Sequence, residues 1–489
     1  MKKITQLIQT FSPNEINSLR KYYAINSRQD SILRNKLFEI VVENNPKSDK
    51  EAAEKLGTKT GAAFSMLKKR FYQDALKILF WGEGSKRFKS KFYESRYRVR
   101  MMIMEADILL DRQLITSARE VLVKAERIAD KYELTEELLL LKDLKQTRRG
   151  LSRTLPKYHQ LTKDKITHIN DIKDKILAFD YHRQITMPNI YNANKDLTYI
   201  EKSKEANILL KELVDRNPNA NILSSYLKSQ IVYYHLTSDY MECLNVALQY
   251  AELIRTSPAV HSKDAMGSAG LYLSNINLQI YNFSESIKYA NDYMHYFYNG
   301  SPNQEALHEN LFVCYLMLKD YSNAYKQIEI VSKFKIVKPG NLIFSRWVFY
   351  RANLDFAQKN FNEALELLQK QTMLTKDKSG YWVGYKILEM LCIIELKNYD
   401  WLEYRTETFR KLLSKVKTKN VARPKIILHL LKALIKENYN FETVTKKNKM
   451  EIRLLSDAIG DYRWDPDGYE IIRFDTWWME KLKKPVRKN

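Results

Sequence analysis

Between Tyr240 and Tyr399 an aromatic residue recurs every 38–43 positions, each time after a helical stretch that ends in a few polar residues. The markers are Tyr240, Phe283, Tyr321, Phe361 and Tyr399. After the first four a small residue follows three positions later: Cys243, Ser286, Ala324 and Ala364. Such a period constrains the chain more than any local propensity, because a unit of about 40 residues cannot bury its apolar face alone and must stack on copies of itself. The unit reads as a helix–turn–helix hairpin. The aromatic opens the second helix and packs into the elbow, and the small residue lets the two helices approach closely. A weaker copy is expected at Tyr439, and an earlier one at ILLDRQLITSAREVL, with Leu114 in the aromatic place.

Composition agrees with a helical stack. The 489 residues include only 13 Gly and 11 Pro, well below the usual shares of about 7% and 5%. All-β and doubly wound α/β folds consume those residues in tight loops and are disfavoured. With 45% hydrophobic and 28% charged residues the chain is one that folds. It has no stretch of about 18–20 consecutive apolar residues. The opening MKKITQLIQTFSPNE reads as a helix of the mature protein, since Gln and Thr interrupt its apolar patch. Cys243, Cys314 and Cys392 are far apart and odd in number, which suits a reducing cytoplasm. Cys314 and Cys392 each stand seven residues before a marker aromatic, as small core residues would.

With the aromatic at the elbow and a small residue three positions on, the pattern resembles tetratricopeptide repeats. Tyr234 and Tyr315 add an aromatic six residues before their markers, where that family also carries one. The resemblance covers roughly residues 99–460. It implies an all-α, right-handed α-solenoid of stacked hairpins, acting as a cytoplasmic, non-enzymatic scaffold whose protein partners lie on the concave surface. Between 150 and 225 the period is hard to follow. There KDKITHINDIKDKILAFDYH and LTYIEKSKEANILLKELVDRNP predict long amphipathic helices, the second stopping near Asn217-Pro218.

Residues 1–98 lack the repeat and are expected to form a basic helical domain. Ser12-Pro13-Asn14-Glu15 and Ser48-Asp49-Lys50-Glu51 are capping boxes, and Asn45-Pro46 ends the helix between them. The segment AAEKLGTKTGAAFSMLKKR (52–70) resembles the DNA-binding helix-turn-helix. Ala53 stands at the crossing, Gly57 in the turn, and Ala63 and Met66 serve as apolar anchors. That resemblance implies nucleic-acid contacts at Lys59, Lys68, Lys69 and Arg70, with Thr60 and Ser65 exposed beside them. The alternative is a plain αα-hairpin. A second basic element, KRFKSKFYESRYRVR (86–100), offers Lys86, Arg87, Lys89, Lys91, Arg96 and Arg98 to phosphates, while Phe88, Phe92, Tyr93 and Tyr97 read as a buried stripe.

The segment 461–489 is expected to hold a turn at Asp465-Pro466-Asp467-Gly468, a short helix TWWMEKL and a basic tail. Trp477 and Trp478 either cap the last repeat or form an exposed anchor for a partner. No phosphate loop, nucleophile elbow or metal-ligand spacing occurs, so no cofactor, metal or catalytic residue is expected. His159, His168 and His182 share no helix face. The formal charge of +23 is concentrated: residues 1–100 carry +12, and the rest of the excess lies in Arg410–Lys425 and the tail from Lys481. Two readings remain, a protein-binding scaffold and a nucleic-acid-associated factor binding DNA or RNA through its basic beginning.

Overall fold

The computed structural model describes residues 1–25, 29–81, 90–148, 154–191, 197–370, 380–414, 421–456 and 460–482. Among them every regular element is helical. The chain divides into two compact units, Met1–Lys89 and Ser90–Asn489.

In the first unit, α1 (Lys2–Ile8), α2 (Pro13–Ile25), α3 (Gln29–Asn44), α4 (Asp49–Leu56) and α5 (Ala62–Trp81) enclose their own core around Leu19, Leu37, Phe38 and Phe71. The first predicted capping box forms, and the second forms in half, its glutamate reaching the residue before the cap. The Glu15 amide donates to Ser12 Oγ while the Ser12 amide donates to Glu15 Oε2. The Glu51 amide donates to Ser48 Oγ while the Lys47 amide donates to Glu51 Oε2. The expected boundary at residue 98 falls earlier in the structure. Ser90 caps α6 (Lys91–Asp111), and Phe92, Val99 and Ala106 of that helix pack together in the second unit. Dividing the chain after residue 98 would cut this stripe about two turns in.

The second unit continues with α7 (Ile115–Lys131), α8 (Thr135–Thr147), α9 (Leu155–Tyr191), α10 (Leu197–Arg216), α11 (Ala220–Thr237) and α12 (Tyr240–Thr256). Then come α13 (Lys263–Gln279), α14 (Phe283–Tyr293), α15 (Pro302–Met317), α16 (Tyr321–Ser332), α17 (Leu342–Ala357) and α18 (Phe361–Gln369). The last are α19 (Tyr381–Glu395), α20 (Tyr399–Leu413), α21 (Ala422–Lys436), α22 (Phe441–Lys447), α23 (Lys449–Ser456) and α24 (Phe474–Leu482). All five marker aromatics are the first residue of a second helix.

The elbows share one construction. A residue with left-handed backbone, φ between 59° and 68°, stands two positions before the second helix: Gln113, Ser238, Tyr281, Lys319, Lys359, Lys397 and Tyr439. In six of these the next amide donates five residues back, as from Asp239 to Tyr234 O, Asn282 to Asn277 O and Asp320 to Tyr315 O. This closure ends the first helix and lets the cap of the second follow at once. Two expected markers shift accordingly. Leu114 is the cap and Ile115 the first helical residue. In the last hairpin Phe441, not Tyr439, opens the helix, because Asn438 and Tyr439 are both left-handed and lengthen the elbow. In the corrected register the residue three positions on is fully buried in all seven hairpins: Ala118, Cys243, Ser286, Ala324, Ala364, Leu402 and Val444.

The hairpins α6/α7, α11/α12, α13/α14, α15/α16, α17/α18, α19/α20 and α21/α22 make the stack, with α8, α9 and α10 between the first two. The two long helices predicted in that interval are α9 and α10, and α10 stops at Arg216 ahead of Pro218. A large core runs from Leu278 to Trp478, beside a small one around Ala290, Leu307 and Leu311, and the earlier helices hold smaller cores. Cys243, Cys314 and Cys392 are buried, and burial pushes the Cys243 thiol up to about 12.

Candidate interaction surfaces

The helix-turn-helix-like hairpin is α4 and α5. Gly57 closes α4 with φ 72°, a conformation that suits glycine. Ala52 and Ala53 are buried as the crossing requires. The second helix departs from expectation: Ala63 and Met66 are exposed, and Phe64, Leu67, Phe71, Ala75 and Ile78 form the buried stripe. Phe71 takes the inward place, packing against Phe38 with centroids 6.2 Å apart. That choice turns the helix so that the apolar anchors fall one residue away from the helix-turn-helix register.

The basic side chains expected at nucleic acid are divided between the two units. Lys59, Lys69 and Arg70 lie on the exposed side of the first unit. Lys68 pairs with Asp49 and lies over the Phe64 ring, and that bond holds the Asp49 carboxyl below its usual range. Lys86, Arg87, Lys89 and Phe88 lie outside the described residues. In the second unit Lys91 and Arg98 are exposed. Arg96 and Arg100 donate to Glu137 Oε1, at 3.0 and 2.6 Å, and Glu137 is fully buried. These two cations neutralise a core carboxylate, which would otherwise be too costly to bury. Phe92 joins the core, but Tyr93 is exposed, against the expectation of a wholly buried stripe.

Of the two readings of the last described helix, the capping one holds. Trp477 and Trp478 are buried, not an exposed partner anchor. Trp477 Nε1 donates to Glu395 Oε1 at 2.7 Å and Trp478 Nε1 to Thr445 Oγ1 at 3.0 Å, while both rings pack on Phe441. The helix α24 thus closes the last hairpins. The segment before it crosses the first helices of the stack. Gln279 on α13 donates to Asp465 at 2.8 Å, and Arg463 donates to the Gln279 carbonyl. Tyr281 donates to the Trp464 carbonyl at 2.7 Å and stacks on its ring. On α19, a side chain at Gly384 would collide with the Tyr469 carbonyl. On α21, Arg423 donates to Glu470, Asp475 and the carbonyls of Leu455 and Tyr462. Between α13 and α21 this segment therefore covers part of the first helices. Arg423 likewise leaves the supposed basic patch at 410–425, being buried, and Arg410 is engaged by Glu407.

Beneath this segment lies a polar cluster that sequence reasoning missed. Arg346 on α17 donates to Glu305 at 2.8 Å and pairs with Glu309 at 2.5 Å, both on α15. Trp347 Nε1 also reaches Glu305 at 2.5 Å, and the Tyr350 hydroxyl reaches Glu309 at 3.3 Å and that of Tyr381 at 3.4 Å. Burial raises the Glu309 pKa, Arg346 opposes, and Glu305 and Asp467 add to the rise. The cluster ties α15, α17 and α19 together through satisfied charges. Its only sequence signal was a pair of glutamates four apart on α15.

Exposed apolar side chains stand earlier in the unit: Met104 and Ile108 on α6, Leu140 on α8, Ile208 and Leu209 on α10, and a row on α9. Burial pushes the α9 imidazole of His182 down to about 3, and it hydrogen-bonds Ser229 at 3.2 Å. Among the described residues no helix is long and apolar enough to cross a membrane, and no group of His, Cys, Asp and Glu could hold a metal ion.

No protein-family model and no curated protein matches the sequence. Similar solved structures include a Signal Transduction ATPase with Numerous Domains protein with a tetratricopeptide repeat sensor from Pyrococcus horikoshii. It is 15% identical, with a TM-score of 0.31, and the match covers 92% of this chain but 65%, less than two thirds, of that one. The Cut9–Hcn1 hetero-tetramer of the APC/C is 13% identical, with a TM-score of 0.36 and coverage of 92% and 99%. Yeast Tom70 is 10% identical, with a TM-score of 0.36 and coverage of 93% and 96%. By its own elbows and helix order the second unit is an all-α, tetratricopeptide-like stack of helical hairpins.

Proposed function

We propose that the protein is a non-enzymatic, cytoplasmic scaffold that binds a protein partner on its earlier helices, α6 to α10. The observation that carries this reading is the asymmetry of the second unit. Its later hairpins cover part of their first helices with the chain's own 460–482 segment, whereas α6, α8 and α10 leave Met104, Ile108, Leu140, Ile208 and Leu209 in solvent. Apolar side chains exposed later, such as Met241, Trp401 and Tyr404, stand on second helices. Exposed apolar groups of this kind are what a partner buries. Three buried thiols support a reducing compartment. The test is affinity purification of the full chain from its native cells, cross-linked and with or without nuclease. Nuclease-resistant capture with cross-links mapping to residues 91–216 is expected. Cross-links confined to the later hairpins would overturn the assignment of the surface.

A second reading, binding of DNA or RNA, is supported by the first unit, whose 18 Lys/Arg against nine Asp/Glu leave Lys59 and Lys69 exposed. It predicts capture lost with nuclease and an affinity of the full chain falling steeply with salt.

A further inference from the structure

Residues 463–473 contain no helix, yet they lie as a strap across the first helices of successive hairpins. Asp467 and Asp465 meet Asn275 and Gln279 on α13, and the Tyr469 carbonyl passes over Gly384 on α19. Beyond the strap, Trp477 and Trp478 hold α24 in the large core by themselves, so the strap can lift without unseating that helix.

The groups beneath the strap oppose its closure. Glu305 and Glu309, one turn apart on α15, share the guanidinium of Arg346 on α17, the one cation that faces Glu309 among the described residues. The other groups around them are neutral: the hydroxyls of Tyr350 on α17 and Tyr381 on α19, the Asn275 amide on α13, and His308 on α15, which is turned to Gln327. The strap brings a third carboxylate, Asp467, whose charge acts on Glu309 and Tyr381 alike. Three carboxylates around one cation repel one another, and the repulsion is relieved when one of them takes a proton. Glu309 is the one placed to do so. Glu305 is held by Arg346 and by Trp347 Nε1 at 2.5 Å, whereas beside Arg346 Glu309 has only a phenol at 3.3 Å. Lifting the strap lets water reach Glu309 and takes Asp467 away, so the open state no longer favours that proton.

We propose that the strap is a proton-linked latch, which closes over α13 to α19 as Glu309 takes up one proton and lifts as that proton is lost. Burial, Glu305 and Asp467 raise the Glu309 pKa of the closed state from 4.5 to about 8. Closing therefore takes up a proton at any pH between those values. Closure is tightest in acid, weakens as pH rises through this window, and levels off above it.

Hydrogen exchange of the full chain, corrected for the intrinsic pH dependence of amide exchange, reads the latch. Protection of peptides covering 463–473 is expected to fall by up to about tenfold per pH unit between pH 6 and 8, with no such change in α6 and α7. Glu309→Gln keeps the shape of the side chain and removes the titration. Its strap is expected to show no slope and to stay as protected at the upper pH as the wild type is at the lower. Asp467→Asn, a change at an exposed side chain, is expected to raise protection at the upper pH by about threefold or more, since one repelling charge is gone. The proposal is overturned by wild-type protection that tracks α6 and α7 at every pH, or by a slope that survives in Glu309→Gln. It is equally overturned by an Asp467→Asn strap that opens as readily as the wild type's at the upper pH.

Discussion

The two halves of the hairpin stack solve the same problem differently. Every hairpin leaves part of its first helix unburied, and stacking covers only the sides. From α13 onward the chain returns from 460 to 482, stacking Trp464 on Tyr281 and seating Ile471, Phe474, Trp477 and Trp478 in the large core that runs from Leu278 to Trp478. Before α11 nothing described performs that service, so the cores are separate and apolar rows face solvent. A repeat protein can thus fix one half as structure and keep the other half as surface. What decides between them is the presence of a closing segment, not the repeat itself.

The comparison breaks most sharply at the closing segment. Trp478→Ala is expected to cost about 3–5 kcal/mol, as deletion of a fully buried ring with a hydrogen bond does. In denaturant the loss should appear as earlier unfolding of the later hairpins. Hydrogen exchange should accelerate there, with α6 to α10 unchanged, and equal acceleration in both halves would mean that they are not separable.

The earlier half should be the more sensitive to mild acid. His182 is buried and neutral, its pKa depressed from 6.5 to about 3. The unfolded chain takes up this proton below about pH 6.5 and the folded chain does not, so stability is present above that value and lost as pH falls towards 3. Between pH 7 and pH 5 the loss is about 2 kcal/mol. His182→Gln should remove most of this pH dependence, read as the shift of the unfolding midpoint around α9 and α11.

A smaller effect tests the elbows common to both halves. Lys319 and Lys359 hold left-handed backbone, which costs an L-residue about 1–2 kcal/mol. Glycine at either position should raise stability by about 0.5–1 kcal/mol after its greater unfolded-state freedom is counted. A destabilised Lys359→Gly, by thermal melting, would show that the lysine side chain itself holds the turn. The smallest effect belongs to the open surface. Ile108→Ser and Leu140→Ser should each change monomer stability by no more than about 0.5 kcal/mol, while weakening partner capture.

The stack was legible because its signal is periodic. Phe283, Tyr321, Phe361 and Tyr399 mark the second helices, and the residue three positions on is buried in each hairpin. Single-residue register was less legible. Glycine, the usual sign of a left-handed turn, is absent from the elbows, where Lys, Ser, Gln and Tyr adopt that backbone instead. The markers at Leu114 and Tyr439 therefore slipped by one and two residues. In α5 both Ala63 and Phe64 are apolar enough for the core, and only the place left beside Phe38 selected the stripe through Phe64 and Phe71.

The sequence by itself determined the helices, their hairpin pairing, the caps of the first unit and the burial of the cysteines. Those depend on neighbours within a few turns or on a period repeated many times. Only tertiary structure decided which faces stayed open. Asp465 meets Gln279 across 186 positions and Trp477 meets Glu395 across 82, and such contacts leave no local pattern. The same long-range closure buried Trp477, Trp478 and Arg423, residues whose types alone point as readily to a surface, and left the row on α9 uncovered.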